Sequence, residues 1–497
     1  MTSIRQTAKR PITAPSLLTM PGRAVLFASV SLLAACAGAP AYRAPQLNTG
    51  TGWAQGADTS AGTAASAAEL AVWWRALGDP VLERLVETAL AQNLDIRQAG
   101  ARIAEARALR DAAAGAQLPS LQADASINRR RQSLNGPLPI GVIPGISRDQ
   151  TIHDVGFDAA WEIDLFGRIR SGVEASEAQL QASEAAAADT RISVAAEVAR
   201  DYLSLRGAQR ELAARSAAVE ALRRIAATVR ERAAAGDLAR ADVERTQAQL
   251  DAADAALPGI RARIRASALG LGVLLGQLPE SELALAEGDG AEVALKPIPV
   301  GERADVLRRR PDVRVAERRL AAATADSAAA RAEWFPRLSI GASGGFQALA
   351  AGDLLQASSQ VFSLMPVISW RIFDGGRVQA QIHAAEARQQ GAAQAYEKAV
   401  LSALSDAERA LGNYRYALES DRAQRAALES ARRSYGHARR RFELGDIALA
   451  ELLEAERSMR DAEDAYARAH SAAAIDLIAL YKALGGGWPV PAGSQAQ

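Results

Sequence analysis

The chain alternates between two hydrophobic rhythms. In its last third, Tyr396, Val400, Leu404, Ala407, Leu411, Tyr414 and Leu418 recur at spacings of 4-4-3-4-3-4. Leu428, Ala431, Tyr435, Ala438 and Phe442 continue at 3-4-3-4. Such spacings gather apolar side chains on one face of a helix, and sustained this long they predict coiled-coil packing. Past Gly445-Asp446 nearly the same rhythm resumes through Leu452, Met459, Ala462, Tyr466, Ala469, Ala473, Leu477 and Leu480. At about 1.5 Å per residue, the stretch 376–444 makes a helix of roughly 100 Å. The glycine turns it back into a shorter partner, a helical hairpin. No compact globular domain needs such a rod; a conduit crossing an aqueous compartment does.

The second rhythm approaches strict alternation. Ser120-Leu-Gln-Ala-Asp-Ala-Ser-Ile127 follows Leu118-Pro119, and a second alternating run covers Thr151 to Leu165, with a Gly/Pro-rich loop between them. The pair returns as Arg337 to Phe346 and Val361 to Phe373. Each reads as two strands joined by a loop. Ahead of the first pair, Asp79 to Ala116 reads as two helices interrupted near Asn93.

The two halves are copies. Trp161-x-Ile-x-x-x-Gly-Arg168 recurs as Trp370-x-Ile-x-x-x-Gly-Arg377, an offset of 209. Gly236-Asp237 recurs as Gly445-Asp446 and Leu275-Gly276 as Leu484-Gly485, at the same offset. Upstream, Asp95 matches Asp312 and Pro119 matches Pro336, at an offset of 217. A length difference between proline and tryptophan belongs in a loop, because packed helices do not absorb insertions. The expected layout is a leader over 1–35 and a linker segment over 36–70. A first repeat over 71–276 follows, with strands near 119–165 and a hairpin tip at 236–237. A second linker (277–300) leads to the second repeat over 301–485, with strands near 337–373 and a tip at 445–446, and a tail over 486–497.

Four strands cannot cross a bilayer as an open sheet, since each unpaired backbone group at an edge costs several kcal/mol in hydrocarbon. They must close by association. Two chains would give eight strands with a filled interior, and three would give twelve with room for a lumen. Trp161, Trp370, Trp334 and Phe335 stand at the strand–helix transitions. An aromatic girdle at a membrane interface would fall there, and so would residues that simply pack the corner.

Composition narrows the function. Lys+Arg is 58 against Asp+Glu 57, a net charge of +1, with no basic excess for nucleic acid. With one cysteine and four histidines, one chain can hold neither a disulfide framework nor a Cys/His zinc cluster. No Walker Gly-x-x-x-x-Gly-Lys, His-Glu-x-x-His or nucleophile elbow occurs, so an enzyme is not expected. The first residues carry Arg5, Lys9, Arg10 and Arg23, then the short apolar run Ala24 to Ala35, an export signal too brief to span a bilayer. It ends in Leu33-Ala34-Ala35-Cys36, which resembles a lipoprotein box, with acylation expected at Cys36 and no other cofactor. At about 0.8 kcal/mol per buried methylene, acyl chains could hold the protein at a membrane.

The ordered set of motifs resembles the TolC-like outer membrane efflux family, in particular lipoproteins of the NodT/OprM type. It comprises Tyr42-Arg-Ala-Pro45, Trp73-Trp74-x-x-Leu77-Gly78-Asp79-Pro80 and Asn93-Leu-Asp-Ile96. It continues with Arg310-Pro-Asp-Val313, Phe335-Pro-Arg-Leu338, Phe373-Asp-Gly-Gly-Arg377 and Arg441-Phe-x-x-Gly445. The resemblance implies a mainly α chain with a small β part. It would be a homotrimer with a 12-stranded outer-membrane barrel, continuous with a helical barrel in the periplasm. It also implies a periplasmic adaptor and an inner-membrane resistance-nodulation-division (RND) transporter as partners. By the same resemblance, the adaptor meets the tips at Gly236, Asp237, Arg441, Gly445 and Asp446, and the pore narrows at Ala450 and Glu454. Glu454 could equally be a solvated partner of Arg457 one turn on. A type I secretion outlet, a metal outlet, a periplasmic adaptor and a structural coiled-coil lipoprotein remain as rivals. The last two would lack a duplicated strand pair with hairpin.

Overall fold

The computed structural model describes residues 42–45, 50, 52–54, 67–134, 147–288, 293–296, 298 and 302–486. Cys36 and the export leader lie outside the described residues. The chain divides into two compact units, and neither is a sequence repeat. One collects the strands of both halves, the other the helices of both halves. The reason is physical: strands of one copy find their hydrogen-bonding partners in the other copy, and so do the apolar helix faces.

The strand unit is built on one antiparallel sheet in the order β1 (Ser120–Arg131), β2 (Asp149–Ile163), β3 (Arg337–Ala348), β4 (Gln360–Ser369). β4 ends four residues before the expected Phe373, because its partner β3 begins at Arg337, paired with Ser369. Beyond that pair the described residues offer no ladder for Trp370 to Phe373 to join.

The helical unit carries the hydrophobic core. In chain order its shorter helices are α1 (Ala67–Ala71), α2 (Pro80–Gln92) and α3 (Leu94–Gly115). The first hairpin runs out along α4 (Arg168–Ala234) and back along α5 (Arg240–Ala255) and α6 (Leu257–Leu274). α7 (Arg303–Arg309) and α8 (Pro311–Ala332) precede the second hairpin, α9 (Arg377–Glu443) and α10 (Leu449–Ala483). α4 and α9 are each 67 residues long, so each extends roughly 100 Å. The first return arm is broken at Leu257-Pro258, where proline removes a backbone donor; the second is continuous for 35 residues. No described helix is long and apolar enough to cross a membrane.

The Trp73-to-Pro80 motif seeds this core. Trp73 and Trp74 are buried in a 3-10 turn that ends at Gly78, whose φ of 69° suits glycine. Trp73 stacks on Tyr481 of α10 with ring centroids 5.1 Å apart. The Asp79 carboxylate then caps α2, accepting from Val81 N at 2.9 Å and Leu82 N at 3.2 Å, with Pro80 at the first helical position. Its second oxygen accepts the Tyr202 hydroxyl at 2.6 Å. Burial, with help from this hydrogen bond, pushes the Tyr202 phenol up to about 12.

The duplication reaches individual atoms. Asn93 donates through Nδ2 to the carbonyl of Leu274 at the end of α6, at 2.8 Å. Its repeat equivalent, Arg310, donates to the carbonyl of Ala483 at the end of α10, at 3.2 Å. The glycines just beyond, Gly276 and Gly485, share positive φ values of 71° and 75°. The two half-chains close their return helices by the same device with different side chains.

Candidate functional site

The sheet has two faces of opposite character. The register puts Leu121, Ala123, Ala125 and Ile127 of β1 opposite Ala159, Phe157, Val155 and His153 of β2. The same face continues through Leu338, Ile340, Ala342 and Phe346 of β3 to Ile368, Pro366 and Leu364 of β4. It is almost wholly apolar. The opposite face carries Gln122, Asp124, Ser126 and Asn128, then Asp154, Asp158 and Glu162, then Ser339, Ser343 and Gln347. There the Gln347 amide donates to Asp154 at 2.6 Å, and the Ser343 and Ser363 hydroxyls lie 3.0 Å apart. The alternation follows from the two-residue period of a strand.

Neither face is covered. β1 and β4 are exposed along their whole lengths, and Phe362 is 90% exposed. Within the chain β1 and β4 each pair on one side only. A sheet that is apolar on one face, polar on the other except at Val361, Met365 and Val367 of β4, and open at both edges exposes more apolar surface and unpaired backbone than a monomer in water tolerates. It is the wall of a barrel whose outside meets hydrocarbon and whose inside meets water.

The strand–helix corners are built from aromatics and caps. Trp161 donates its indole N–H to the Gln117 carbonyl at 3.0 Å. Trp370 makes the equivalent bond to the Trp334 carbonyl at 2.9 Å. Phe335 stacks on Phe166 at 4.7 Å, a contact that no sequence motif announced. Trp161, Trp334, Phe335 and Trp370 all remain substantially exposed. They tie down the corners and still present aromatic surface, so the packing role is met and the girdle role is left available. Asp164 caps the start of α4 through Arg170 N at 2.7 Å, and Asp374 caps α9 through the amides of Gly376, Arg377 and Val378.

The hairpin tips share one geometry. Gly236 and Gly445 sit at φ of 87° and 82°. Asp237 N reaches back to Arg232 O, and Asp446 N to Arg441 O, both at 2.9 Å, so each long helix ends in a Schellman turn. The Arg232 guanidinium lies 5.4 Å from the Phe442 ring, linking the last turns of α4 and α9. Further along, Arg215 of α4 meets Asp464 of α10 at 3.0 Å. Ala450 and Glu454 occupy the exposed face of α10, with Glu454 paired to Arg457 at 3.1 Å.

Among the described residues no group of three or more His, Cys, Asp or Glu side chains is arranged to hold a metal ion.

Comparison with known proteins agrees with this architecture. The family model described as "Outer membrane efflux protein" matches residues 85–277 and again 303–486, one match per repeat. Outer membrane protein OprJ of Pseudomonas aeruginosa is 33% identical over 459 residues, covering 92% of this chain and 94% of OprJ. The solvent efflux pump outer membrane protein SrpC of Pseudomonas putida is 31% identical over 467 residues, covering 92% and 97%. The solved structure of the outer-membrane channel OprN superposes with a TM-score of 0.82 at 34% identity, covering 92% of this chain and all of that one. Matched by the family model over both repeats and 33% identical to OprJ over nearly the whole length, the chain belongs to the outer membrane efflux protein family.

Proposed function

We propose that this chain is the outer-membrane outlet of a tripartite RND efflux system, a passive conduit for small toxic molecules from periplasm to exterior. The observation that carries the reading is the two-faced sheet with open edges. Three copies close twelve strands into a barrel: the apolar faces meet lipid, and the line of Asp124, Asp154, Asp158 and Glu162 meets the lumen. The hairpins form the periplasmic part, with their Gly236 and Gly445 tips offered to an adaptor, and an acyl group on Cys36 anchors the chain. The driving energy belongs to the inner-membrane transporter, since this chain supplies only a lumen and a gate.

The duplication supports a specific joint between copies. Adding the repeat offsets to the β1–β2 pair Leu121 and Ala159 gives Leu338 and Ile368, which are paired in β3–β4. The same transfer applied to the β2–β3 joint predicts the joint between copies. Ala159 opposite Ala342 becomes Ile368 opposite Ala125 of the next copy, and Trp161 opposite Ile340 becomes Trp370 opposite Ala123. By the same transfer Ile163 opposite Leu338 becomes the highly exposed Ile372 opposite the exposed Leu121 of that neighbour.

Planar-bilayer recording tests the conduit. The purified protein is expected to give trimer-sized channels with a low resting conductance. Glu454→Ala is expected to raise that resting leak several-fold, because three carboxylates leave the narrowest ring. Absence of any channel activity would remove the conduit reading, and an unchanged leak would remove Glu454 from the gate.

A further inference from the structure

The seam that packs the second hairpin contains a charge. Along α10 the buried positions near the tip are Leu452, Glu456 and Met459, at the 4-3 spacing of a coiled-coil core. Glu456 is only 4% exposed. Neither of its carboxylate oxygens has a hydrogen-bond partner among the described residues. The nearest cation is Arg460 Nη2, one turn along the same helix at 3.7 Å, beyond hydrogen-bond reach. Arg224 of α4 and Tyr435 of α9 complete the surroundings, so the acid stands where three long helices meet. Arg439 of α9 acts on Tyr435 and is paired with Glu443 at 3.0 Å, and Glu463 of α10 occupies Arg460 at 2.9 Å. At about 1.5 Å per residue, Glu456 sits roughly 10 Å inside the start of α10 and half a turn from Glu454.

We propose that Glu456 is a protonation-controlled latch on the gate hairpin, neutral and packed when the gate is shut and ionised when α10 loosens from α4 and α9. An ionised carboxylate in this seam lacks the hydrogen bonds that would offset its desolvation, whereas the neutral acid packs as a glutamine would. Burial raises the Glu456 pKa, and Arg460 and Arg224 only partly oppose it. A raised folded-state value means that the packed seam binds the extra proton. Its stability therefore grows as pH falls through that value and is lost as pH rises. Lower pH tightens the seam, and pH above that raised value favours its release. The inference rests on reading α9 and α10 as the gate.

The test is resting conductance of the full-length channel in planar bilayers between pH 8 and pH 5, for the wild type and Glu456→Gln. The wild-type leak is expected to fall several-fold on acidification. Glu456→Gln is expected to show the low, acid-like leak at every pH, and its helical melting temperature should fall less steeply with rising pH than the wild type's, the remainder belonging to groups such as Asp189 and Asp476. Parallel pH curves for the two proteins would overturn the latch while leaving the channel intact. A variant that no longer folds or assembles at any pH would overturn it too, because the neutral form is the one held to be packed. Absence of channels from both proteins would instead bring down the conduit reading, and the latch with it.

Discussion

Gly345→Val is expected to abolish assembly, whereas Gly344→Val one residue earlier leaves it intact. The two glycines are neighbours on β3 and point to opposite faces. A side chain at Gly345 would put its Cβ 2.3 Å from the Val155 carbonyl oxygen and 2.6 Å from Gly156 Cα. Both obstacles are backbone of the adjacent strand, so no rotamer change relieves them. β2 and β3 would have to part at the Gly156–Gly345 pair. Overpacking costs about 1–3 kcal/mol where side chains can yield, and more where backbone must move. The proposed trimer would carry the penalty three times. At Gly344 a Cβ meets nothing within 4 Å, and valine suits a strand. The readout is the trimer band on a gel run without boiling: lost for Gly345→Val, retained for Gly344→Val. Equal behaviour of the two would contradict the close approach of β2 and β3.

Arg310→Met is expected to destabilise the helical unit by about 1–3 kcal/mol, because the Ala403 and Ala483 carbonyls lose their donor while Asp312 and Asp406, both partly exposed, stay in contact with water. The Arg310 side chain is 11% exposed and binds four groups. It forks onto Asp312 at 2.6 and 3.0 Å and touches Asp406 at 3.4 Å. It also donates to the carbonyls of Ala403 in α9 and Ala483 at the C-terminus of α10. One guanidinium thus joins three helices and meets the negative end of one of them. Loss of helical signal in urea at a lower midpoint measures the effect. Arg310→Lys is expected to recover only a minor part, because an ammonium cannot serve the planar fork. Full recovery by lysine would show that charge alone matters there.

Much of this architecture was legible because duplication leaves a numerical trace. Two offsets, 209 and 217, place the strands, the tips and the closing glycines, and they transfer one strand register onto the other without adjustment. The length difference between the halves falls between β1 and β2, outside both strands. Glycine announces the tips in the sequence because the left-handed turn leaves few alternatives. The coiled-coil stripe was legible too, but its flaw was not. Leu452 and Met459 are seven apart, and the missing step of four is Glu456. A glutamate in a helix rich in Glu and Arg looks solvated until its face is known.

What stayed hidden is what depends on partners far away in the chain. Asn93 and Arg310 occupy the same repeat position and do the same work, but their chemical difference conceals it. The Phe166–Phe335 stack joins the two repeats, so no offset within the sequence predicts it. The aromatic corners are a mixed case. Their positions were plain from the sequence, yet their indole N–H groups turn back to the chain's own carbonyls and fix each corner before any membrane is met.

The most direct measurement is cysteine cross-linking at the joint between copies. With Ala125→Cys and Ile368→Cys in one chain, mild oxidation is expected to yield covalent trimers on a denaturing gel. Either substitution alone should give none. A pair displaced by two residues along β4, Ala125→Cys with Pro366→Cys, should link far less. Efficient trimers from the displaced pair would contradict the register carried over from the duplication. Double-cysteine protein that stays monomeric under oxidation would contradict closure of the sheet by sister copies.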